Sequence, residues 1–173
     1  GLLCARSLDD RAGCWILLKA MEKLGDTSVA FGFSVQEEVG LRGASLLART
    51  HELDYAFAVD SVSSADWPGV SRELSPAVVG DGPCLRVLDN ATVIPPAFRK
   101  EVAGVAGKAG IPLQMVFSGG GTDAKPFQTE GPHVISLAFP VRYTHSAVEI
   151  ASESDLDRCI DLVCALAEHY GRS

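Results

Sequence analysis

Two adjacent carboxylates, Glu37 and Glu38, follow an apolar, β-branched segment in the sequence GFSVQEEVGLRGA. Burying one ionised carboxylate without a partner costs several kcal/mol, and two neighbouring carboxylates also repel each other. Strands disfavour two adjacent acids, because one of the two side chains must point inward. The pair therefore predicts that a positive group lies close to it.

Metal-capable side chains also occur at three other boundaries between predicted elements. They are Asp9 and Asp10 in SLDDRAG, Asp60 in AVDS and His145 in RYTHS. Carboxylates together with imidazole suit zinc, manganese or cobalt, and no cysteine lies beside these positions as it would in a structural zinc site. A bridging carboxylate would let two metal ions lie about 3.5–4 Å apart and share one hydroxide.

Each of these residues has a structural alternative when it is taken alone. Asp10 can cap a helix, Asp60 can stabilise a turn after its strand, and His145 can be a surface or capping residue. Such roles do not explain the pair Glu37 and Glu38. The whole set is therefore a stronger signal than any of its members.

Strands and helices alternate along nearly the whole chain. The predicted helices are 10–25, 40–50, 95–110, a short one within 119–130, and one from about residue 152; the predicted strands are 28–36, 54–60, 84–89, 112–118 and 133–140, and 63–83 is a loop. This alternation predicts an α/β fold with a largely parallel sheet and helices on both faces. In such sheets chemistry gathers at the carboxyl ends of the strands, where the acids and the histidine are predicted.

Length and composition narrow the class of protein. The chain has 173 residues, of which 47% are hydrophobic, and this suits one globular domain. A net charge of −7 without a run of lysine or arginine argues against nucleic-acid and anionic-membrane partners. No apolar stretch approaches the roughly 20 residues that span a bilayer. The five cysteines never form CxxC, which indicates a reducing compartment and predicts the cytoplasm.

Five motifs in this order resemble those of the tetrahedral aminopeptidases, glutamyl-aminopeptidase-like dinuclear metallopeptidases, some of which were once classed as endoglucanase or cellulase M. They are SLDDRAG, FSVQEEVGLRGA, AVDS, FSGGGTDA and VRYTHSAVE, and the resemblance runs over essentially the whole chain. The resemblance implies a three-layer α/β/α zinc-peptidase-like core and metal-dependent release of N-terminal residues from peptides. It also implies two divalent ions per full-length subunit, zinc or else cobalt or manganese, and assembly into a hollow dodecamer built from dimers.

The resemblance further implies a role for each metal-capable residue. Asp9 matches the aspartate that bridges the two metal ions, and Asp10 matches the residue that shares a cis peptide bond with it and is counted among the catalytic residues. Glu38 and His145 complete one metal site. Asp60 is a ligand of the other metal.

Glu37 matches the general base of the family. On this interpretation Glu37 takes a proton from metal-bound water, the resulting hydroxide attacks the scissile carbonyl, and Glu37 then protonates the leaving amine. The glycine-rich motif borders the active site in the family, so Thr122 and Asp123 are candidate substrate-binding residues. The spacing of the glycines in this motif fits neither GxGxxG nor GxxxxGK[ST], the two glycine patterns of nucleotide-binding loops, and this argues against a nucleotide site. For Arg142, contact with a substrate carbonyl or carboxylate and a structural ion pair stay open.

The family pattern contains parts that this sequence does not show. In the family, a histidine ligand in an HxDE-like motif, the first strands of the sheet and a small inserted β domain lie upstream of the LDDR motif. We therefore interpret residues 1–173 as part of a catalytic metallopeptidase domain and expect activity from the full-length protein, not from this chain alone. In this chain we expect a metal site at Asp9, Glu38 and His145, a weak or empty site at Asp60, and an exposed sheet edge prone to abnormal association.

Two other classes of function stay open. A non-catalytic relative or assembly module would keep the fold and lose the metals, and another dinuclear hydrolase of the same clan, such as a deacetylase or carboxypeptidase, would cleave a different bond. Retention of the whole acidic set with His145 argues against a non-catalytic relative. The residues of EEVGLRGA and RYTHS favour the aminopeptidase over another dinuclear hydrolase. A glucanase has little support, because the acids occupy predicted metal positions and do not flank a sugar site as two carboxyls.

Overall fold

The computed structural model describes residues 1–71 and 77–171, so part of the predicted loop 63–83 lies outside the described residues. The elements in chain order are β1 (Leu2–Ala5), α1 (Leu8–Leu24), α2 (Arg42–Thr50), β2 (Tyr55–Ser64), β3 (Cys84–Leu88), α3 (Pro96–Lys108), β4 (Gln114–Phe117), α4 (Ala124–Glu130), β5 (His133–Arg142), β6 (Glu149–Ser152) and α5 (Glu153–Tyr170). Among these described helices, none combines the length and the apolar content needed to cross a bilayer.

The strands form one mixed sheet in the order β1-β6-β5-β3-β4, with β2 paired to β5. The longest pairing is parallel and joins β2 to β5, beginning with Tyr55 opposite His133 and ending with Ser64 opposite Arg142. Strand β3 is parallel to β4 and antiparallel to β5, while β6 is antiparallel to both β1 and β5. Strands β1, β2 and β5 therefore run in the same direction, and their carboxyl ends point toward one rim of the sheet.

Helices cover both faces of the sheet, which confirms the predicted α/β class and its three layers. Helices α1, α3 and α5 pack together on one face, and α2 packs on α4 on the other. Alternation along the strands separates the two layers, since Ala56 and Val134 pack against Ala124 of α4. The larger core lies on the opposite face and includes Ile135, Leu137, Phe139, Ile16, Val102 and Leu166, all fully buried.

Local signals explain where the helices begin and end. Helix α1 stops at Gly25, which has a φ of 62° and donates its N–H to the carbonyl of Met21 at 3.1 Å. Helix α3 opens with Pro96 in its first turn, where a missing N–H removes no intrahelical hydrogen bond. At the start of α5, the buried carboxylate of Asp155 accepts hydrogen bonds from the N–H groups of Gly80 and Gly82 at 2.6 and 2.9 Å, and this fastens loop 77–83 to the helix.

The predicted strand 28–36 is wrong, because this segment forms no ladder with any strand in the described part of the chain. Phe31 packs against the core, but the side chains of Phe33 and Val35 are 44% and 68% exposed. A run of apolar residues reports a tendency to be buried. It does not report whether a neighbouring strand is available for pairing.

Two further details of the sheet differ from the prediction. Strand β2 does not end at Asp60 but continues to Ser64, so Asp60 lies inside the strand, opposite Ala138 of β5. Strands β1 and β6 were not predicted, and each is only four residues long. Strands this short carry too little alternation to be recognised, and here β1 pairs with β6, which in turn pairs with β5.

Candidate metal centre

Three segments far apart in the chain bring a histidine and two carboxylates together. The Nε2 atom of His145 lies 3.1 Å from Oδ2 of Asp9 and 3.5 Å from Oε2 of Glu38. The ligand atoms of these three residues all lie within 4.8 Å of one another. Asp9 follows β1 and His145 follows β5, and these two strands end at the same rim of the sheet. The predicted Asp9–Glu38–His145 group is thus assembled in the fold.

A second group of carboxylates lies beside the first. Ligand atoms of Asp9, Asp10 and Asp60 also lie within 4.8 Å of one another, so Asp9 belongs to both groups. The peptide bond between Asp9 and Asp10 is cis, as the resemblance implies. Helical backbone angles begin after Asp10, since Asp9 and Asp10 have ψ values of 108° and 36°. Both aspartates therefore precede the regular part of α1.

Glu149 is a functional candidate that the sequence reasoning did not single out. Its side chain is buried, at 2% exposure, in β6 opposite Ala5 of β1. Its Oε2 accepts the N–H of Asp9 at 3.0 Å, and its Oε1 accepts the N–H of His145 at 2.9 Å. The signal that could have found it is its place in the motif VRYTHSAVE, four residues after His145.

Burial and nearby negative charge raise the pKa values of two carboxyl groups in the second group, those of Asp10 and Asp60. Burial raises the pKa of Asp10 to about 10, and the charges of Asp60 and Asp9 add to this effect. Burial likewise raises the pKa of Asp60 to about 8 with help from Asp9, against the lowering effects of Arg86 and of the N–H of Ser61, which donates to Oδ1 at 2.6 Å. These carboxyls need a cation, or protons, nearby.

The clustered acids fit divalent ions by their donor chemistry. Oxygen and imidazole donors from Asp9, Glu38, Asp60 and His145 suit zinc, cobalt or manganese. The Oδ1 atom of Asp10 is buried and has no hydrogen-bond partner among the described residues. An uncompensated buried carboxylate oxygen is costly, so a cation in this place would remove a penalty that the chain by itself leaves in the site.

Glu37 lies at the edge of the same group and is half-buried, whereas Glu38 is exposed. Burial raises the pKa of Glu37, and the neighbouring charges of Glu38, Asp123 and Asp9 raise it further against the opposing effect of Arg86. The two glutamates thus have different surroundings. Glu38 faces the histidine, and Glu37 is the partly desolvated carboxyl.

Arg86 places a positive charge beside Asp60, and sequence reasoning missed it. Its side chain is buried in β3, with Nη1 3.8 Å from Oδ2 of Asp60. Its Nη2 donates to the hydroxyl of Ser118 and, at 3.3 Å, to the carbonyl of Gly120. Arg86 therefore partly balances Asp60 and anchors the glycine-rich loop. A single arginine in a short strand carries no sequence signal for this role.

An open cavity of about 590 Å³ lies over the two groups. Ser45 on α2 and Lys125 and Thr129 on α4 form part of its wall. The predicted site residues that line it are Asp9, Glu37, Glu38, Asp60 and His145. The cavity is large enough for the end of a peptide and exposes these carboxylates to whatever binds there.

The glycine-rich loop places Thr122 and Asp123 differently. Thr122 is fully buried, with its hydroxyl 3.3 Å from that of Ser136 and 3.2 Å from the N–H of Ala124, and it does not line the cavity. Asp123 accepts a hydrogen bond from the hydroxyl of Ser34, and burial raises its pKa. Thr122 thus supports the start of α4, and Asp123 adds negative charge near Glu37.

Arg142 forms an ion pair with Asp66, which is one of the two roles left open by the sequence. Its Nε and Nη2 atoms donate to the two carboxylate oxygens of Asp66 at 2.5 and 2.9 Å. Asp66 is 6% exposed at its side chain and Arg142 is 23% exposed. Arg142 is not among the residues that line the cavity.

Comparison with known proteins identifies the family. The profile of the M42 glutamyl aminopeptidases matches residues 1–162, and the chain belongs to this family. The lysyl aminopeptidase of Pyrococcus furiosus is 37% identical over 167 residues, which make up 93% of this chain and 47% of that protein.

Solved structures agree with this assignment. The TET aminopeptidase from the marine sediment archaeon Thaumarchaeota archaeon SCGC AB-539-E09 superposes with a TM-score of 0.91 at 30% identity, over 99% of this chain and 50% of that one. The TET1 peptidase of Pyrococcus horikoshii, which can assemble into a tetrahedron or a large octahedral shell, gives 0.82 at 36% identity over 96% and 50% of the two chains. The chain thus spans about half the length of these relatives.

Proposed function

We propose that the full-length protein is a metal-dependent aminopeptidase that hydrolyses N-terminal residues from peptides. The observation that carries this proposal is Asp9, whose carboxylate belongs to two groups of possible ligands on the floor of an open cavity. Glu37 lines the same cavity without belonging to either group. The grouped residues would hold the metal ions. Glu37, which lies outside both groups, would remain available to transfer a proton.

Asp9, Glu38 and His145 would hold one ion, and Asp9 with Asp60 would contribute to a second site. When bound, such ions polarise the scissile carbonyl and lower the pKa of the attacking water. Zinc is the metal we propose, with cobalt and manganese as alternatives for this donor set. The stoichiometry of two ions per full-length subunit remains a prediction from the resemblance, and the cytoplasmic location remains a prediction from the cysteine pattern.

The chain's own residues supply the proton transfers and the recognition of the substrate end. Glu37 takes a proton from the attacking water and delivers it to the nitrogen of the leaving amine. The surrounding carboxylates attract the free α-ammonium group of the peptide, a charge that an internal peptide bond lacks. This difference favours cleavage next to an N-terminus over cleavage within a chain.

The oligomeric state is a further part of the proposed function. We propose that full-length chains form a homo-oligomer, a dodecamer built from dimers, and the assembly of the Pyrococcus horikoshii relative into a tetrahedron or octahedral shell supports this. We expect residues 1–173 alone to lack turnover. Size-exclusion chromatography with light scattering on the longer and shorter chains measures the first expectation, and a peptidase assay on both measures the second.

The test of function is the substitution Glu37→Gln in the full-length protein. We expect turnover of aminoacyl-p-nitroanilides to fall by about 10²–10⁴-fold, the usual contribution of a positioned general base. Metal content, measured by inductively coupled plasma mass spectrometry, should stay unchanged, because Glu37 belongs to neither ligand group. N-acetylated peptides serve as controls and should not be cleaved. Undiminished turnover in the variant would exclude Glu37 as the base, and a metal-free, inactive wild type would favour a non-catalytic relative.

A further inference from the structure

The buried carboxylate of Glu149 connects two segments that lie far apart in the chain and carry the proposed metal ligands Asp9 and His145. We infer that Glu149 is a positioning residue that holds the backbones of Asp9 and His145 in place, so that their side chains are arranged for a metal ion before it binds. Glu149 itself does not line the cavity and is not one of the grouped ligands. The inference rests on the proposed metal-dependent function.

The hydrogen bonds of Glu149 point to this role. One carboxylate oxygen accepts the N–H of Asp9 at 3.0 Å, and the other accepts the N–H of His145 at 2.9 Å. In the described part of the chain, no lysine, arginine or histidine side chain forms an ion pair with Glu149. The two backbone donors are therefore the partners shown for this buried side chain, one for each carboxyl oxygen.

The segments that Glu149 joins need such support. His145 and Tyr143 both have left-handed backbone conformations, with φ values of 61° and 63°, which are uncommon for residues other than glycine. The side chain of His145 is 69% exposed, so little packing holds its ring in place. The 3.1 Å approach of His145 Nε2 to Asp9 Oδ2 consequently depends on where the two backbones are held.

The position of Glu149 in the sheet explains why its side chain can reach the backbones of both Asp9 and His145. Glu149 opens β6 directly opposite Ala5, the last residue of β1, and Asp9 lies four residues further along the chain. The turn with His145 immediately precedes β6. One side chain at this register position therefore reaches both turns, and the antiparallel pairing of two four-residue strands fixes that position.

The substitution Glu149→Gln tests the inference with little change in size. A glutamine amide has one oxygen that can accept one of the two N–H groups, while its NH₂ group would face the other donor. We expect zinc affinity of the full-length protein, measured by chelator competition, to fall by about 10- to 100-fold, the range seen when residues that orient metal ligands are changed. The visible absorption spectrum of the cobalt-loaded protein should change as well, because the ligand geometry changes.

Asp155→Asn is a matched control. Asp155 is also a fully buried carboxylate that accepts two backbone N–H groups, from Gly80 and Gly82, but it joins a loop to α5 and is outside both ligand groups. Its substitution should lower the thermal unfolding midpoint of metal-free protein and leave zinc affinity within about twofold of wild type. The comparison separates positioning of ligands from a general loss of stability.

Each outcome bears on a different conclusion. Weakened zinc binding and an altered cobalt spectrum in Glu149→Gln, together with unchanged binding in Asp155→Asn, support the positioning role. Equal zinc affinity in wild type and Glu149→Gln overturns that role but leaves the proposed function intact. An equal loss of zinc affinity in Glu149→Gln and Asp155→Asn has the same meaning. A wild type without zinc affinity overturns the proposed function and the inference with it. If the glutamine variant does not fold, Glu149→Asp shortens the reach by one methylene, and wild-type affinity in that variant overturns the inference.

Discussion

The ion pair between Arg142 and Asp66 predicts that Arg142 matters for stability more than for substrate binding. Both carboxylate oxygens of Asp66 accept hydrogen bonds from Arg142, at 2.5 and 2.9 Å. Breaking a buried ion pair costs about 3–5 kcal/mol, whereas exposed pairs contribute about 0.2–1 kcal/mol. With side chains 6% and 23% exposed, this pair lies nearer the buried limit. We expect Arg142→Gln to lower the free energy of unfolding by about 2–4 kcal/mol.

The effect should depend on pH with a defined sign. Burial raises the pKa of Asp66, but hydrogen bonds from Arg142 and from the N–H of Val79 outweigh it, and the net pKa lies below its ordinary value. A carboxyl with a lowered folded-state pKa adds stability above its unfolded pKa, and this stability is lost as pH falls through the folded-state pKa. The cost of Arg142→Gln should therefore be largest at neutral pH and shrink below about pH 4.

The assay is denaturant unfolding of full-length wild type and variant from pH 7.5 downward, paired with KM and kcat for an aminoacyl-p-nitroanilide at a temperature where both stay folded. Lys23→Gln is the control, because Lys23 pairs with Asp161 at 2.7 Å with both side chains more than half exposed. Its removal should cost less than about 1 kcal/mol. An Arg142→Gln variant as stable as wild type, with KM raised tenfold or more, would refute the structural role and favour substrate contact.

Two other substitutions probe the metal centre. His145→Ala in the full-length protein should lower metal content by about one ion per subunit by mass spectrometry, because it removes a ligand from the Asp9–Glu38–His145 group; full occupancy would mean that this ligand set is wrong. Gly13→Ala should destabilise the protein by at least about 1–3 kcal/mol, because its Cβ would lie 2.4 Å from the carboxylate oxygens of Asp10. Gly104→Ala on α3 is its control, since a Cβ there meets nothing within 4 Å and should leave stability unchanged or raise it by up to about 1 kcal/mol in a thermal melt. Equal effects of the two glycine substitutions would contradict the packing argument.

Some of the fold and much of the site follow from local chemistry. Helices α2 and α3 and the long helix α5 appear where apolar spacing and terminal signals predict them. Asp9, Glu38 and His145 each lie within a recognisable motif, and they form one group in the structure, while Asp60 joins Asp9 in the second group. The types of these residues and their places in the motifs are properties of the sequence alone. They predict which donors exist before any distance is known.

Pairing and long-range contacts were decided only by the tertiary structure. The apolar pattern of segment 28–36 predicts a strand, yet this segment pairs with no strand among the described residues. Strands β1 and β6 are too short to be recognised and form through pairing between segments that lie far apart in the chain. Arg86 and Glu149 acquire their roles from neighbours more than 25 residues away along the chain, Asp60 and Asp9. Sequence patterns encode burial and donor chemistry, whereas the partner of a strand or a buried charge depends on the register of the completed sheet.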